Sequence, residues 1–156
     1  ISEMLAHLIS LGTSPLEFLD TLYQKYGFHM EKTENIYFEG AEGSAIINKL
    51  VSSYRENPLK EVAGAKVTRV KDYNEDGFMD EDGVELPQLN FIELTLDNAF
   101  SIAIRPSGTE PKIKYYLFGC ESSNPTNLEE SKKNVGVKMD EISSFLVQDA
   151  HARTAK

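Results

Sequence analysis

Four stretches of the chain carry apolar residues at the three- and four-residue spacing of an amphipathic helix. The first stretch ends at Gly12, and the second begins at Ser14 with Pro15 in its first turn, as is typical of a helix N-terminus. The third stretch ends before Pro58, and the fourth runs from Leu128 to about Gln148. We expect the tail beyond this last helix to fray.

Other segments favour strands because they are rich in β-branched and aromatic residues or alternate between apolar and polar positions. These segments are Phe28 to Phe38, Lys66 to Tyr73, Phe91 to Leu96, Phe100 to Ile104 and Ile113 to Phe118. Asp97 and Asn98 lie between two of them and suit a tight hairpin turn. The pattern predicts an α+β fold, in which helices pack on one face of an antiparallel sheet.

The composition is that of a globular domain, and the net charge of the chain is negative. The chain has 156 residues, of which 40% are hydrophobic, and its formal net charge is -9. An acidic surface repels nucleic acid and anionic membranes, so we expect neither as a partner. No run approaches the ~18 apolar residues of a membrane-spanning helix. An anionic metabolite would also be repelled, unless a local group of cations reverses the sign.

Cysteine and histidine offer little chemistry at the level of sequence. Cys120 is the one cysteine, which favours a reducing, cytoplasmic location. No histidine lies near it in sequence, so a structural role is favoured over a nucleophilic one. His7, His29 and His151 are scattered, without the spacing of metal ligands. The chain opens at Ile1 in the middle of a helical pattern, and we expect it to be a piece of a longer protein.

One polar loop between two predicted strands combines the features of an anion site. Its candidate ligands are Arg105, Ser107, Gly108, Thr109, Lys112 and Lys114. A glycine lets backbone N–H groups approach a ligand closely and can adopt positive φ, and successive N–H groups form an anion nest. Hydroxyl groups, a planar guanidinium and amines add donors suited to phosphate. The residues alone leave open an ordinary exposed hairpin loop, and the loop lacks the pattern of a Walker sequence.

The segment from Arg105 to Tyr115, Arg-Pro-Ser-Gly-Thr-Glu-Pro-Lys-Ile-Lys-Tyr, resembles the signature of the C-terminal domain of the α-D-phosphohexomutases. This is the phosphoglucomutase/phosphomannomutase superfamily. Leu86-Pro87 and the segment from Phe38 to Gly43 are similar to the phosphoglucomutase branch. The resemblance implies a fourth domain like the TATA-box-binding protein over residues 27–156. Residues 1–26 would be the C-terminal helices of the preceding, third domain.

Members of that family interconvert 1-phospho and 6-phospho sugars through a sugar bisphosphate. The resemblance implies that the first domain of the parent carries a phosphoserine, the second binds Mg²⁺ through aspartates and the third reads the sugar. The fourth domain holds the phosphate that is not transferred, here through Arg105, Ser107, Gly108 and Thr109, with Lys114 and Lys112 on the next strand.

The implied ligand of the chain is a sugar phosphate, such as glucose 1-phosphate or glucose 6-phosphate, and its implied partners are the other domains of the same polypeptide. We find no catalytic residue, metal loop or cofactor site of the family type in this chain. We therefore expect the fragment alone to be inactive.

Three alternatives stay open from the sequence. Phosphomannomutase, phosphoglucosamine mutase and phosphopentomutase use similar loops, which read phosphate and not sugar stereochemistry. A non-catalytic phosphate-binding or phosphoprotein-binding module would need the same loop. The segment from Asp72 to Gly77 resembles half of a calcium loop, but Gly83 stands where a bidentate glutamate is required, so an acidic solvated hairpin is preferred.

Overall fold

The computed structural model describes residues 1–40, 42–75, 79, 82–85, 87–121 and 127–155. The described elements are four helices and six strands, in the order α1 (Ser2–Ser10), α2 (Pro15–Tyr26), β1 (Phe28–Tyr37), α3 (Gly43–Glu56), β2 (Glu61–Val62), β3 (Ala65–Asp72), β4 (Ile92–Leu96), β5 (Phe100–Pro106), β6 (Lys112–Glu121) and α4 (Leu128–Thr154). The strands form one sheet in the order β1-β6-β5-β4-β3-β2, with every neighbouring pair antiparallel. The predicted α+β fold is confirmed.

Alternation along the central strands sorts side chains onto two faces of the sheet. One face is fully buried and carries Ile92, Leu94, Ile102, Ile104, Ile113, Tyr115 and Leu117. Helices α3 and α4 pack on this face, where Leu50 and Val51 of α3 and Met139 and Ile142 of α4 complete the core. The other face carries polar and half-exposed side chains.

The N-terminal pair of helices attaches to the sheet through α2. Its first turn is a capping box, because Ser14 Oγ accepts from Glu17 N–H at 3.2 Å and Glu17 Oε2 accepts from Ser14 N–H at 2.8 Å. The predicted start of this helix is confirmed. Tyr23 then packs edge-on against Phe28, with ring centroids 4.9 Å apart, and Lys132 Nζ of α4 donates to Asp20 at 2.9 Å.

Two short features escape a periodicity argument. Strand β2 has two residues, and the turn that follows it places Ala63 at a φ of +48° and Gly64 at +80°. The β4–β5 hairpin turns at Asp97 and Asn98 as predicted. The turn also includes Ala99, at a φ of +61°. Alanine is uncommon at such a φ, so composition gave no signal for this third residue.

The expectation that the chain frays after Gln148 is wrong, since α4 continues to Thr154. Arg153 explains the extension. Its guanidinium donates to the carbonyl oxygens of Ser53 at 2.9 Å and Asn57 at 3.1 Å, which lie at the C-terminal end of α3. It also pairs with Asp149 at 2.7 Å and lies 4.4 Å from the ring centroid of Tyr54. The end of α4 therefore caps α3.

A pair of buried tyrosines links α3 to the sheet. The hydroxyl oxygens of Tyr54 and Tyr115 lie 3.1 Å apart, and their rings meet edge to face. Burial raises the pKa of both phenols well above the ordinary value, and for Tyr54 the neighbouring Tyr115 raises it further. Both hydroxyls therefore stay protonated in the folded state.

Replacing Arg153 by methionine keeps the apolar stem but removes the donors to α3. Because the carbonyl oxygens of Ser53 and Asn57 then lose a charged hydrogen-bond donor, we expect the free energy of unfolding to fall by about 1.5–3 kcal/mol. Urea denaturation measures the change. Lys133→Met, at an exposed position of the same helix, is the matched control. Equal stability of the two variants would contradict the capping role.

The tyrosine pair should make the protein unstable in alkali. Above pH 10, the ordinary tyrosine pKa, the unfolded chain loses phenol protons that the folded state keeps. The contribution of the pair to the free energy of unfolding is therefore present in full below pH 10. Above pH 10 the free energy of unfolding falls by up to about 1.4 kcal/mol per pH unit for each tyrosine. Urea titrations across this range should show a smaller slope for the double variant Tyr54→Phe/Tyr115→Phe. An unchanged slope would rule out the pair as the cause.

Candidate phosphate-binding site

The loop between β5 and β6 is held at its base by backbone hydrogen bonds. Ser107 N–H donates to the carbonyl of Lys112 at 2.9 Å, and Lys112 N–H donates to the carbonyl of Glu110 at 2.7 Å. Phe38 N–H, just beyond β1, donates to the carbonyl of Pro111 at 2.9 Å. The loop is therefore anchored both to its own strands and to the end of the neighbouring strand.

The start of α3 presses against the same anchor. A Cβ added to Gly43 would lie 2.0 Å from the carbonyl oxygen of Phe38 and 3.0 Å from Pro111 Cβ. Only a glycine fits this approach, which explains its presence at the first position of the helix. The similarity of the segment from Phe38 to Gly43 to the phosphoglucomutase branch thus has a packing reason, although Ala41 within it lies outside the described residues.

Arg105 and Lys114 are direct cross-strand partners in the β5–β6 register. Both point to the face of the sheet opposite α3 and α4, because their neighbours Ile104, Ile113 and Tyr115 are buried on the helix side. Within the described part of the chain, neither cation forms an ion pair. Like charges directly opposite each other destabilise a strand pair, so a bound anion between them would relieve a cost present in the free protein.

A depression of about 230 Å³ opens above these two cations. Its lining is Arg105, Pro106, Ser107, Gly108, Thr109, Lys114 and Tyr116. Five of the six predicted ligands therefore line one concavity. A single water takes up roughly 30 Å³ in the liquid, so the space is large enough for a phosphate group together with part of the molecule that carries it.

Donors in the loop are left over for a ligand. The N–H groups of Gly108 and Thr109 and the hydroxyls of Ser107 and Thr109 pair with no other group in the described residues. Gly108 does not use the positive φ that glycine permits. A Cβ built on it meets nothing within 4 Å, so its value is the open space that it leaves beside the N–H groups.

Lys112 is the predicted ligand that the structure directs elsewhere. Its ammonium pairs with Glu110 at 2.5 Å, lies 3.4 Å from the Tyr37 hydroxyl and sits over the Tyr37 ring. The hydrogen bond between Lys112 and Glu110 raises the pKa of the lysine and holds the pKa of the glutamate below its ordinary value. Lys112 and Lys114 lie two residues apart on β6 and share a face, but in this arrangement Lys112 neutralises Glu110 and lies outside the depression.

Sequence reasoning missed Tyr116, which lines the depression. The two tyrosines after Lys114 lie on opposite faces of β6, with Tyr115 buried and Tyr116 half-buried. The available signal was alternation, because a residue two positions after Lys114 on a strand must share its face.

The structure also brings His29 to Cys120, which sequence distance had seemed to exclude. The two residues are cross-strand partners of β1 and β6, with His29 Nε2 3.6 Å from Cys120 Sγ. In the calcium-like segment, Asp72 is engaged by Arg55 at 2.7 Å, while Asp76 and Gly77 lie outside the described residues, as does Leu86 of the Leu86-Pro87 pair.

Two features are absent from the residues that the structure describes. No group of three or more histidine, cysteine, aspartate and glutamate side chains comes together to hold a metal ion. No helix combines the length and apolar composition needed to cross a bilayer.

Comparison with known proteins gives the same indication as the motif. No family model matches the chain. A phosphoglucomutase of Staphylococcus haemolyticus is 37% identical over 124 residues, which are 75% of this chain and 21% of that protein. A phosphoglucomutase of Staphylococcus aureus is 39% identical over 104 residues, which are 64% of this chain and 19% of that protein. The chain thus spans about a fifth of the length of the curated relatives it matches.

One similar solved structure is the open form of the Paramecium exocytosis-sensitive phosphoprotein pp63/parafusin, a phosphoglucomutase. The match covers 92% of this chain and 24% of that chain. The TM-score is 0.49 at 15% identity, too low to carry an argument. The sequence relatives do not depend on it. The chain is similar to phosphoglucomutases in sequence. This identity and the motif from Arg105 to Lys114 show that the chain belongs to the phosphohexomutase family.

Proposed function

We propose that this chain is the C-terminal phosphate-binding domain of a phosphoglucomutase or phosphomannomutase. It would bind the non-transferred phosphate of a sugar phosphate during 1-phosphate/6-phosphate interconversion. One observation carries the proposal, which is the unpaired cationic couple of Arg105 and Lys114, facing each other beside a loop with free donors. In a chain of net charge -9, such a couple favours binding of a local anion.

Each part of the loop has a distinct task in this proposal. Arg105 presents a planar fork that matches two phosphate oxygens, whereas Lys114 acts as a mobile point charge. The N–H groups of Gly108 and Thr109 and the hydroxyls of Ser107 and Thr109 donate hydrogen bonds to the phosphate oxygens that the cations do not reach. A nest of this kind reads phosphate and leaves the sugar free to reorient.

The mutase activity of the whole protein is part of the proposal, because this chain matches only a fifth of its relatives. Binding energy gained at the held phosphate can orient the reacting end of the sugar, although no bond breaks at the loop. We expect the phosphoserine and any Mg²⁺ to belong to other domains of the same polypeptide, and the chain alone to lack activity. The names of the relatives favour glucose phosphates as substrate. A cytoplasmic location stays a prediction.

The proposed division of the chain places 1–26 with the preceding domain and 27–156 with the phosphate-binding domain. Exposed apolar side chains on α1 and α2 and at the two ends of α1 support this boundary, namely Ile1, Met4, Ile9, Leu11, Leu16 and Leu19. Apolar residues gathered on one small helical pair are typical of a surface covered by another part of a protein. The preceding domain of the parent would cover them.

Arg105→Ala and Lys114→Ala should each weaken binding of glucose 1-phosphate to the chain by about 10-fold, because each removes one charged contact to phosphate. Titration followed by the backbone amide signals of Gly108 and Thr109 measures the affinity. Neither variant should be less stable than the parent chain, since each also removes the repulsion between cross-strand cations.

Lys49→Ala, at an exposed lysine of α3, is the control for the change in net charge, and Lys112→Ala should have a much smaller effect than Lys114→Ala. If Arg105→Ala binds glucose 1-phosphate as well as Lys49→Ala does, Arg105 is not a ligand. If the amides of Gly108 and Thr109 do not respond to millimolar ligand in the parent chain, the loop is not the phosphate site.

A further inference from the structure

Tyr116 occupies a defined place relative to the two cations. It lies two residues after Lys114 on β6, so it projects from the same face, and Ala103 is its cross-strand partner on β5. On the other side its partner is Thr33 of β1. Both flanking side chains are smaller than tyrosine, and the ring is half-buried while still lining the depression.

Neither the hydroxyl nor the ring face of Tyr116 is taken up by a neighbour among the described residues. The hydroxyl forms no hydrogen bond with them, and the ring pairs with no other aromatic ring among them. In this it differs from Tyr115, whose hydroxyl meets Tyr54 in the core. A tyrosine with a free face in a concavity beside two cations is available to a ligand.

Spacing along the strand separates Tyr116 from the phosphate donors. Two residues of a strand span roughly 7 Å, so Tyr116 lies that far beyond Lys114, on the side away from Ser107, Gly108 and Thr109. The same depression reaches from these three residues and Arg105 to Tyr116. The part of it beside Tyr116 is therefore open to a group attached to a phosphate held at the loop.

We propose that the ring face of Tyr116 is a platform for the sugar carried by the held phosphate. The contact joins the aromatic face to the C–H side of the sugar ring, and it depends on shape and on buried apolar area. Such a platform accepts a sugar attached through its 1-position or its 6-position. This inference rests on the proposed function, to which it adds a second element of ligand recognition.

Two probes separate the platform from the phosphate nest. Inorganic phosphate can use the nest only, whereas glucose 6-phosphate can use both. In the unsubstituted chain, both probes should shift the backbone amide signals of Gly108 and Thr109, and the sugar phosphate should bind more tightly. Tyr116→Ala should weaken the binding of glucose 6-phosphate by about 3- to 10-fold and leave the binding of inorganic phosphate unchanged. Tyr116→Phe, which keeps the ring, should bind both probes like the parent chain.

Phe118→Ala is the matched control, because Phe118 lies two residues further along the same face and does not line the depression. It should bind both probes normally. Thermal unfolding verifies that each variant is folded, with Tyr116→Leu as the substitute if the alanine variant is not. Equal weakening of both probes by Tyr116→Ala, no effect on either, or loss in Tyr116→Phe would overturn the platform. Failure of the parent chain to bind inorganic phosphate and glucose 6-phosphate would instead overturn the proposed function.

Discussion

The register between β5 and β6 is the constraint on which both the core and the candidate site depend. In this register Ile104 lies opposite Tyr115, and Arg105 lies opposite Lys114. Because successive side chains alternate between faces, a slip of one residue in either strand would turn a cation toward the core and an apolar residue toward water. Burial of Ile104, Ile113 and Tyr115 under the helices therefore sets the positions of Arg105 and Lys114.

The helical layer stabilises this register from two ends. Near the loop, the close contact of Gly43 with Phe38 and Pro111 joins the start of α3 to the strand ends that carry the site. At the far end of α3, Arg153 of α4 occupies the last carbonyls, and Tyr54 reaches Tyr115 through the core. Helix packing on one face thus holds the loop still, while the opposite face remains accessible to a ligand. A nest of fixed donors needs such support, because each donor must already be in place when the ligand arrives.

Local chemistry made much of the fold predictable. The capping box at Ser14, the helix-ending Pro58 and the strand alternation around Ile113 act over a few residues, and each led to the right element. The cationic loop was predictable for the same reason, since its candidate ligands lie close together in the sequence.

Features that join residues distant in the sequence could not be predicted. The extension of α4 depends on Arg153 meeting α3 about a hundred residues earlier in the chain, and the approach of His29 to Cys120 depends on the pairing of the first strand with the last. Lys112 could not be separated from Lys114 by alternation, because they share a face. The contacts of Lys112 with Glu110 and Tyr37 decide which of the two lysines is neutralised.

In the proposed function, the unfavourable pairing of Arg105 with Lys114 serves to bind one anion. A double-mutant cycle on these two residues tests it directly, with alanine at each position and the free energy of unfolding measured with and without saturating glucose 6-phosphate. Without ligand, the coupling between the two cations should be unfavourable by a few tenths to about 1 kcal/mol. With ligand it should become favourable, because one phosphate then bridges both side chains. A coupling energy that is the same in both conditions would contradict the claim.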